Sequence, residues 1–222
     1  LHQFFKEEMV SLHKLAELSA GFLAKRLQLD EEKREIISYG AFVLIQNLFT
    51  LTIVAAIAAL AGILRETLVI VLVFGALRVL GGGIHFQTAA GCIVTSAVVL
   101  PLLGFASAVL SSPFYSVSAP GQAFLLAAIS IFSLAAILLF VPKEHQNHPL
   151  SGERKKILRR STLAVGCIFI AVMFCSASGF IFSRAEAVPV GMALVFQSLN
   201  LVPAGEILVN RVKGRFGFIE LE

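Results

Sequence analysis

The chain has 222 residues, 57% of them hydrophobic and 14% charged, with a formal net charge of +4. A soluble domain of this length has too little interior to bury so much apolar surface, and the mean hydropathy of +0.87 points to an all-α, polytopic helical membrane protein. The basic excess does not indicate nucleic acid, because Lys and Arg fall in blocks between apolar runs and do not interleave with aromatics along one stripe.

The first 30 residues carry Phe5, Met9, Leu12, Leu15, Leu18, Phe22 and Leu27 at helical spacing, with Glu7, Glu8, Lys14, Glu17 and Lys25 between them. This pattern predicts an amphipathic helix whose apolar face packs on the bundle or lies in the inner leaflet. The charged start lacks a signal-peptide pattern, so no cleaved targeting segment is expected. Asp30 has the character of an N-cap for a helix that runs into the first span, with Glu31 and Glu32 in its first turn. Windows of roughly 20 residues, long enough to cross the hydrocarbon core, follow near 40–62, 90–110, 121–141 and 161–183. Two shorter windows, 67–80 and 187–203, read as short spans or re-entrant pieces. The first ends at Arg78, and the second contains Pro189, Gln197, Asn200 and Pro203. The expectation is about six membrane segments in a single integral-membrane domain spanning residues 1–222.

Positive charges give orientation. With six segments, the blocks in 1–39, 143–160 and 211–215 fall with Arg78 on one side, and Arg65 and Arg184 are left for the other. The positive-inside rule then puts both termini in the cytoplasm. The connection between the second and third segments, residues 81–92, is expected at the same cytoplasmic surface, where a thiol stays reduced.

Few residues here can do chemistry. His85 and Cys92 stand seven apart beside Gly81, Gly82 and Gly83, with Arg78 just upstream. A Cys-His pair can generate a thiolate nucleophile, and a helix opening near Ala89 would place Cys92 in its first turn, among free N–H groups. A straight helix would separate the pair by about 10.5 Å along its axis, so the glycines must turn the chain if His85 is to reach the thiol. Taken alone, the spacing is a weak signal that chance and structural use also explain. Cys167 and Cys175 lie within one apolar window and read as small buried hydrophobes; His2, His13, His145 and His148 read as solvated. No region gathers enough ligands for zinc, and neither metal nor cofactor is expected. Gln87, Thr88 and Ser96 read as helix-start or interface polar groups, and no third catalytic residue is evident. Gln46, Asn47, Thr50, Gln197, Asn200 and Glu206 suit interhelical hydrogen bonds. A small-solute transporter and a non-catalytic membrane interaction subunit are the alternatives to an enzyme. The small face Ala55, Ala58, Ala59 and Gly62 suits a homodimer or packing within one monomer.

The stretch Arg78-x2-Gly81-Gly82-Gly83-x-His85-x6-Cys92 resembles the signature of the accessory gene regulator B (AgrB-type) family. The likeness extends to Asp30–Gly40, ahead of the first span. It also covers the central basic loop, with Asn147, Pro149, Leu150, Glu153, Lys155 and Lys156. Phe86 departs from it, since many members carry a small residue there. The resemblance implies a bacterial membrane cysteine endopeptidase that processes the precursor of a quorum-sensing autoinducing peptide. Cys92 would be nucleophile and His85 its base, with Arg78 and Gly83 as supporting positions. It further implies an acyl-enzyme thioester that an internal thiol or hydroxyl could convert to a cyclic thiolactone or lactone. The substrate-binding residues are not readable.

Overall fold

In the computed structural model, the described residues are 30–84, 89–143, 151–180 and 183–203, together with positions 14, 18, 21, 22, 26 and 207. Most of the expected N-terminal helix lies outside them, as do Gln87, Thr88, Glu206, His145 and His148. Lys14, Leu18, Gly21, Phe22 and Arg26 are helical.

Between residues 30 and 203 the described residues form six helices and one 3-10 turn, and there is no strand among the described residues. Helix α1 (Glu31–Leu60) opens on Asp30, whose carboxylate accepts the Lys33 backbone N–H at 2.9 Å and so satisfies one of the free N–H groups of the first turn. It is followed by α2 (Leu64–Gly81), α3 (Ala89–Ser116), α4 (Ala119–Phe140) and α5 (Gly152–Ser178). Gly179, at φ 70°, closes α5, with the Gly179 and Phe180 N–H groups donating to the Ser176 and Cys175 carbonyls. A 3-10 turn, Arg184–Glu186, then leads into α6 (Ala187–Leu201).

Helices α1, α3, α4 and α5 contain apolar stretches long enough to cross a membrane. Their outer faces carry Leu44, Phe105, Phe124, Leu139 and Ile168, all more than half exposed. Leaving five such side chains in water would forfeit on the order of 10 kcal/mol of burial, so these faces belong against hydrocarbon. The protein is a polytopic helical membrane protein.

The two shorter windows form α2 and α6, the first helical throughout and the second as far as Leu201. Helix α6 has 15 residues, about 22 Å of rise and well short of the hydrocarbon thickness. It packs against α2, α3, α4 and α5 and buries Val190, Ala193, Leu194 and Leu201. A helix enclosed by protein need not match the bilayer, which accounts for its length and for its polar residues. The main core joins Val54, Ile70, Val73, Leu77, Leu100, Met173 and Leu194. At the α2–α3 crossing, a Cβ on Gly104 would stand 3.2 Å from Thr67 Cβ and 3.3 Å from its Cα, so only glycine allows this approach.

Consecutive helices alternate in direction. One end of the bundle gathers the α1–α2 turn, the 3-10 turn and the end of α3. Arg65 Nε donates to Glu186 Oε1 at 2.9 Å there, and the Tyr115 hydroxyl donates to the Arg184 carbonyl. The other end gathers the close of α2, the opening of α3, Lys143 and the close of α6. Here Gly81 packs on Thr162, ten positions into α5, and Gln46, midway along α1, reaches Ala89. The first parts of α1 and α5, residues 31–45 and 152–161, therefore extend past this second end and carry charged side chains with them.

Several expectations are revised in detail. Cys167 is exposed, not buried, and Cys175 half-buried. Its window is apolar because it faces lipid, where a small thiol is as well accommodated as in a core. Of the polar residues assigned to interhelical bonds, Thr50 and Asn200 instead donate to carbonyls of their own helices, Gln46 at 2.8 Å and Phe196 at 2.8 Å. Asn47 is exposed. Ala58 is fully buried within the monomer, whereas Ala59 and Gly62 are exposed.

Candidate functional site

Helix α2 ends where its sequence runs into glycine. Gly82 has φ 76° and Gly83 φ 156°, conformations that disfavour any side chain, and the chain leaves the helical path at Gly82. The straight helix that would hold His85 and Cys92 apart is thereby absent from residues 82–84. Space adds to the requirement. A Cβ on Gly82 would meet the Lys143 carbonyl oxygen at 3.0 Å, and one on Gly83 would meet a guanidinium nitrogen of Arg78 at 3.2 Å.

The turn is held from three directions. The Lys143 backbone N–H donates to Gly81 O at 3.1 Å, Gln197 Nε2 on α6 donates to Gly82 O at 3.0 Å, and Arg78 donates to Ile84 O at 2.6 Å. Gly82 N–H completes the set by donating to Arg78 O at 2.9 Å. Irregular backbone at membrane depth must be satisfied by protein, and here each of these carbonyls has a separate donor.

Arg78 is the charge at the centre. No carboxylate among the described residues pairs with it. Its guanidinium carbon lies 5.5 Å from the Phe74 ring centroid, and Phe74 packs on Phe196 with centroids 4.9 Å apart. A cation on an aromatic face keeps much of its stabilisation in a dry setting.

Cys92 is half-buried and lies in the first described turn of α3, which begins at Ala89. Gln46 Nε2 on α1 donates to the Ala89 carbonyl at 3.4 Å and ties that helix start to the bundle. The structure thus brings together Arg78 and Gly83, with Cys92 at the start of the neighbouring helix α3. His85 lies outside the described residues. Among those described, no group of His, Cys, Asp and Glu is arranged to hold a metal ion.

Two contributors were not assigned to the site from the sequence, although Gln197 was read there as an interhelical hydrogen-bonding residue. Lys143 acts through its backbone, which no side-chain pattern reveals. Gln197 was legible in principle, because Val190, Leu194, Gln197 and Leu201 follow the i, i+4, i+7, i+11 spacing of a buried stripe. A cavity of about 160 Å³ between α3, α4 and α6 lies at the opposite end of the bundle, walled by side chains such as Leu110, Phe114, Leu126 and Met192. It offers no group for acyl transfer.

The model of the accessory gene regulator B family matches residues 16–201. The chain is similar to AgrB-like protein 2 of Clostridium perfringens (strain 13 / Type A), at 24% identity over 90% of this chain and 96% of the relative. An AgrB-like protein of Clostridium perfringens (strain SM101 / Type A) is 25% identical over the same shares. The AgrB-like protein of Halalkalibacterium halodurans is 30% identical over 92% of this chain and 93% of its own. No solved structure matches.

Proposed function

The chain belongs to the accessory gene regulator B family, and on that premise we propose that it is a membrane-embedded cysteine endopeptidase that removes the C-terminal tail of an autoinducing-peptide precursor. Membership ties it to agr quorum-sensing peptide processing at a membrane; the residues and the mechanism are the proposal.

One observation carries it. A single guanidinium, Arg78, bonds the carbonyl of Ile84, the residue before His85, while Cys92 stands half-buried in the first described turn of α3. One end of the motif is therefore fixed by a single cation, and the other by the start of α3.

In the proposed reaction, His85 takes the proton from the Cys92 thiol and the thiolate attacks the scissile carbonyl. The C–N bond of the tetrahedral intermediate breaks, and the imidazolium returns its proton to the departing amine of the tail. The precursor remains as a thioester on Cys92. A precursor thiol can then exchange with it, forming a thiolactone and regenerating the Cys92 thiol without an external energy source, provided water is held off. A hydroxyl in its place would give a lactone. The backbone N–H of Cys92, in the first described turn of α3, is the candidate oxyanion donor.

Both termini and the Cys92 end of the bundle lie on the cytoplasmic side in this reading, supported by the basic blocks at 1–39 and 143–160. Labelling of engineered cysteines at 152–160 from the outside would overturn the orientation. For activity, the purified chain is reconstituted with a precursor peptide bearing an amphipathic leader, an internal cysteine and an acidic tail. Cys92→Ala and His85→Ala should each abolish cleavage, and processing that survives Cys92→Ala would refute the proposal.

A further inference from the structure

The cavity of about 160 Å³ between α3, α4 and α6 is walled by apolar side chains only. Leu126, Ala187 and Gly191 are its buried floor, Val188 and Met192 are half-buried, and Leu110 at the rim is 46% exposed. It therefore opens at the surface. Val109 and Leu125, next in sequence to Leu110 and Leu126, continue that surface as exposed apolar residues of two membrane-crossing helices. An apolar cavity of this size stays dry and takes an apolar guest, and the medium on this face is hydrocarbon, so the guest at hand is an acyl chain. Along α6 the wall runs from Ala187 to Val195, about 12 Å of rise, against roughly 15 Å of hydrocarbon in one leaflet.

The same end of the bundle holds a cation with no carboxylate partner among the described residues. Arg184 precedes Ala187 by three positions, and its carbonyl accepts the hydroxyl of Tyr115, the neighbour of Phe114 in the cavity wall. Glu186, the carboxylate nearest in sequence, accepts from Arg65 Nε at 2.9 Å, and no described carboxylate pairs with Arg184. Glu66, the remaining described charge at this end, belongs to α2, which gives no residue to the cavity wall. The Arg184 stem lies over Gly179, where a Cβ would stand 3.2 Å from Nε and 3.6 Å from Cγ, and the residue is exposed. A guanidinium left uncompensated at the edge of the bilayer, near the mouth of a dry slot, suits a phosphate above an acyl chain.

We propose that this end of the bundle binds one anionic phospholipid, with its acyl chain in the cavity between α3, α4 and α6 and its phosphate on the guanidinium of Arg184. An anionic headgroup is preferred over phosphatidylcholine, whose own ammonium offsets the phosphate charge that Arg184 lacks. The bound chain joins α6 to α3 and α4 where side chains leave a gap, and the far end of α6 carries the Gln197 bond to the glycine turn. The site lies away from the Cys92 end and does not rest on the peptidase reading.

The test reconstitutes the full chain in phosphatidylcholine vesicles containing a rising fraction of phosphatidylglycerol with a photoreactive diazirine in its acyl chain, and locates adducts by mass spectrometry. Adducts at Leu110, Phe114, Val188 and Met192 should saturate. Labelling of Leu139, a lipid-facing residue at the other end of α4, should instead rise in proportion to the probe. The same diazirine on phosphatidylcholine should label the cavity about fivefold less, as expected for one basic side chain near the membrane surface. Arg184→Gln should erase that ratio and Arg184→Lys should keep most of it. Val188→Trp fills the slot and should abolish saturable labelling; if that variant fails to fold, the exposed Arg184→Gln still decides. Cavity labelling that never saturates would overturn the inference, as would a headgroup preference that survives Arg184→Gln. Displacement of the probe by inorganic phosphate would make the ligand a free anion, and displacement by the precursor peptide would make the cavity a peptide site; either result overturns the lipid assignment.

Discussion

Gly83→Ala places the smallest side chain where the structure leaves little room for one. Its Cβ would stand 3.2 Å from an Arg78 guanidinium nitrogen, at a backbone φ of 156°. Holding a non-glycine residue in that region costs about 1–3 kcal/mol. If Arg78 gives way, the 2.6 Å bond to Ile84 O is lost as well, and a hydrogen bond to a charged donor contributes about 1.5–3 kcal/mol. The two costs are alternatives in part, so the expected local destabilisation is about 2–4 kcal/mol. The helices on either side remain packed through Leu77, Ile93 and Leu100, so the damage should stay in the turn. A displacement of about 1 Å at a reacting group can cost on the order of 100-fold in rate. Precursor cleavage in liposomes should therefore fall by about that factor, and thermal unfolding in detergent should shift down by about 2–4 °C for each kcal/mol lost. Gly75→Ala is the matched control on the same helix, since a Cβ there meets nothing within 4 Å. It should keep full activity and gain up to about 1 kcal/mol of helix stability. Wild-type cleavage by Gly83→Ala would refute the idea that the glycine turn sets the geometry of the site.

Arg78→Lys keeps the charge but not the planar fork that reaches Ile84 O while lying on Phe74. Cleavage should drop at least tenfold, read as kcat against KM; an unchanged kcat would assign Arg78 to folding alone. Gly104→Ala forces α2 and α3 apart at Thr67 and should cost about 1–3 kcal/mol, measured by thermal unfolding in detergent. Asp30 is held below the usual carboxylate range by the Lys33 side chain and then by the Lys33 backbone N–H. A lowered folded value means that its capping contribution is complete at neutral pH and is lost as pH falls through that value. Hydrogen exchange at the Lys33 amide should accelerate, relative to the intrinsic rate, on acidification in wild type and should show no such step in Asp30→Ala.

What the sequence made legible was mostly local. Asp30 could be read as an N-cap because capping involves one side chain and an N–H three residues on. Gly82 and Gly83 could be read as a turn because their freedom is intrinsic to glycine. The span windows came out shorter than α1 and α5 because hydropathy registers the lipid-facing part of a helix, and the charged turns at 31–35 and 153–160 continue it beyond. Helix α6 read as a short span or re-entrant piece for the opposite reason: Gln197 and Asn200 sit in an element shielded by four others, where hydropathy is a poor guide. The link from Gln197 to Gly82 crosses 115 positions, and no periodicity encodes it. Cys167 was misjudged because an apolar window does not distinguish lipid from core.

The assignment of Cys92 as nucleophile is tested most directly by intact-mass spectrometry of the reconstituted chain quenched in acid during turnover with the precursor peptide. The expected result is a population heavier by the mass of the precursor without its tail, localised to Cys92, released by hydroxylamine as a thioester should be, and absent from Cys92→Ala. Cleavage that proceeds with no adduct on Cys92, or an adduct that persists in Cys92→Ala, would contradict the assignment.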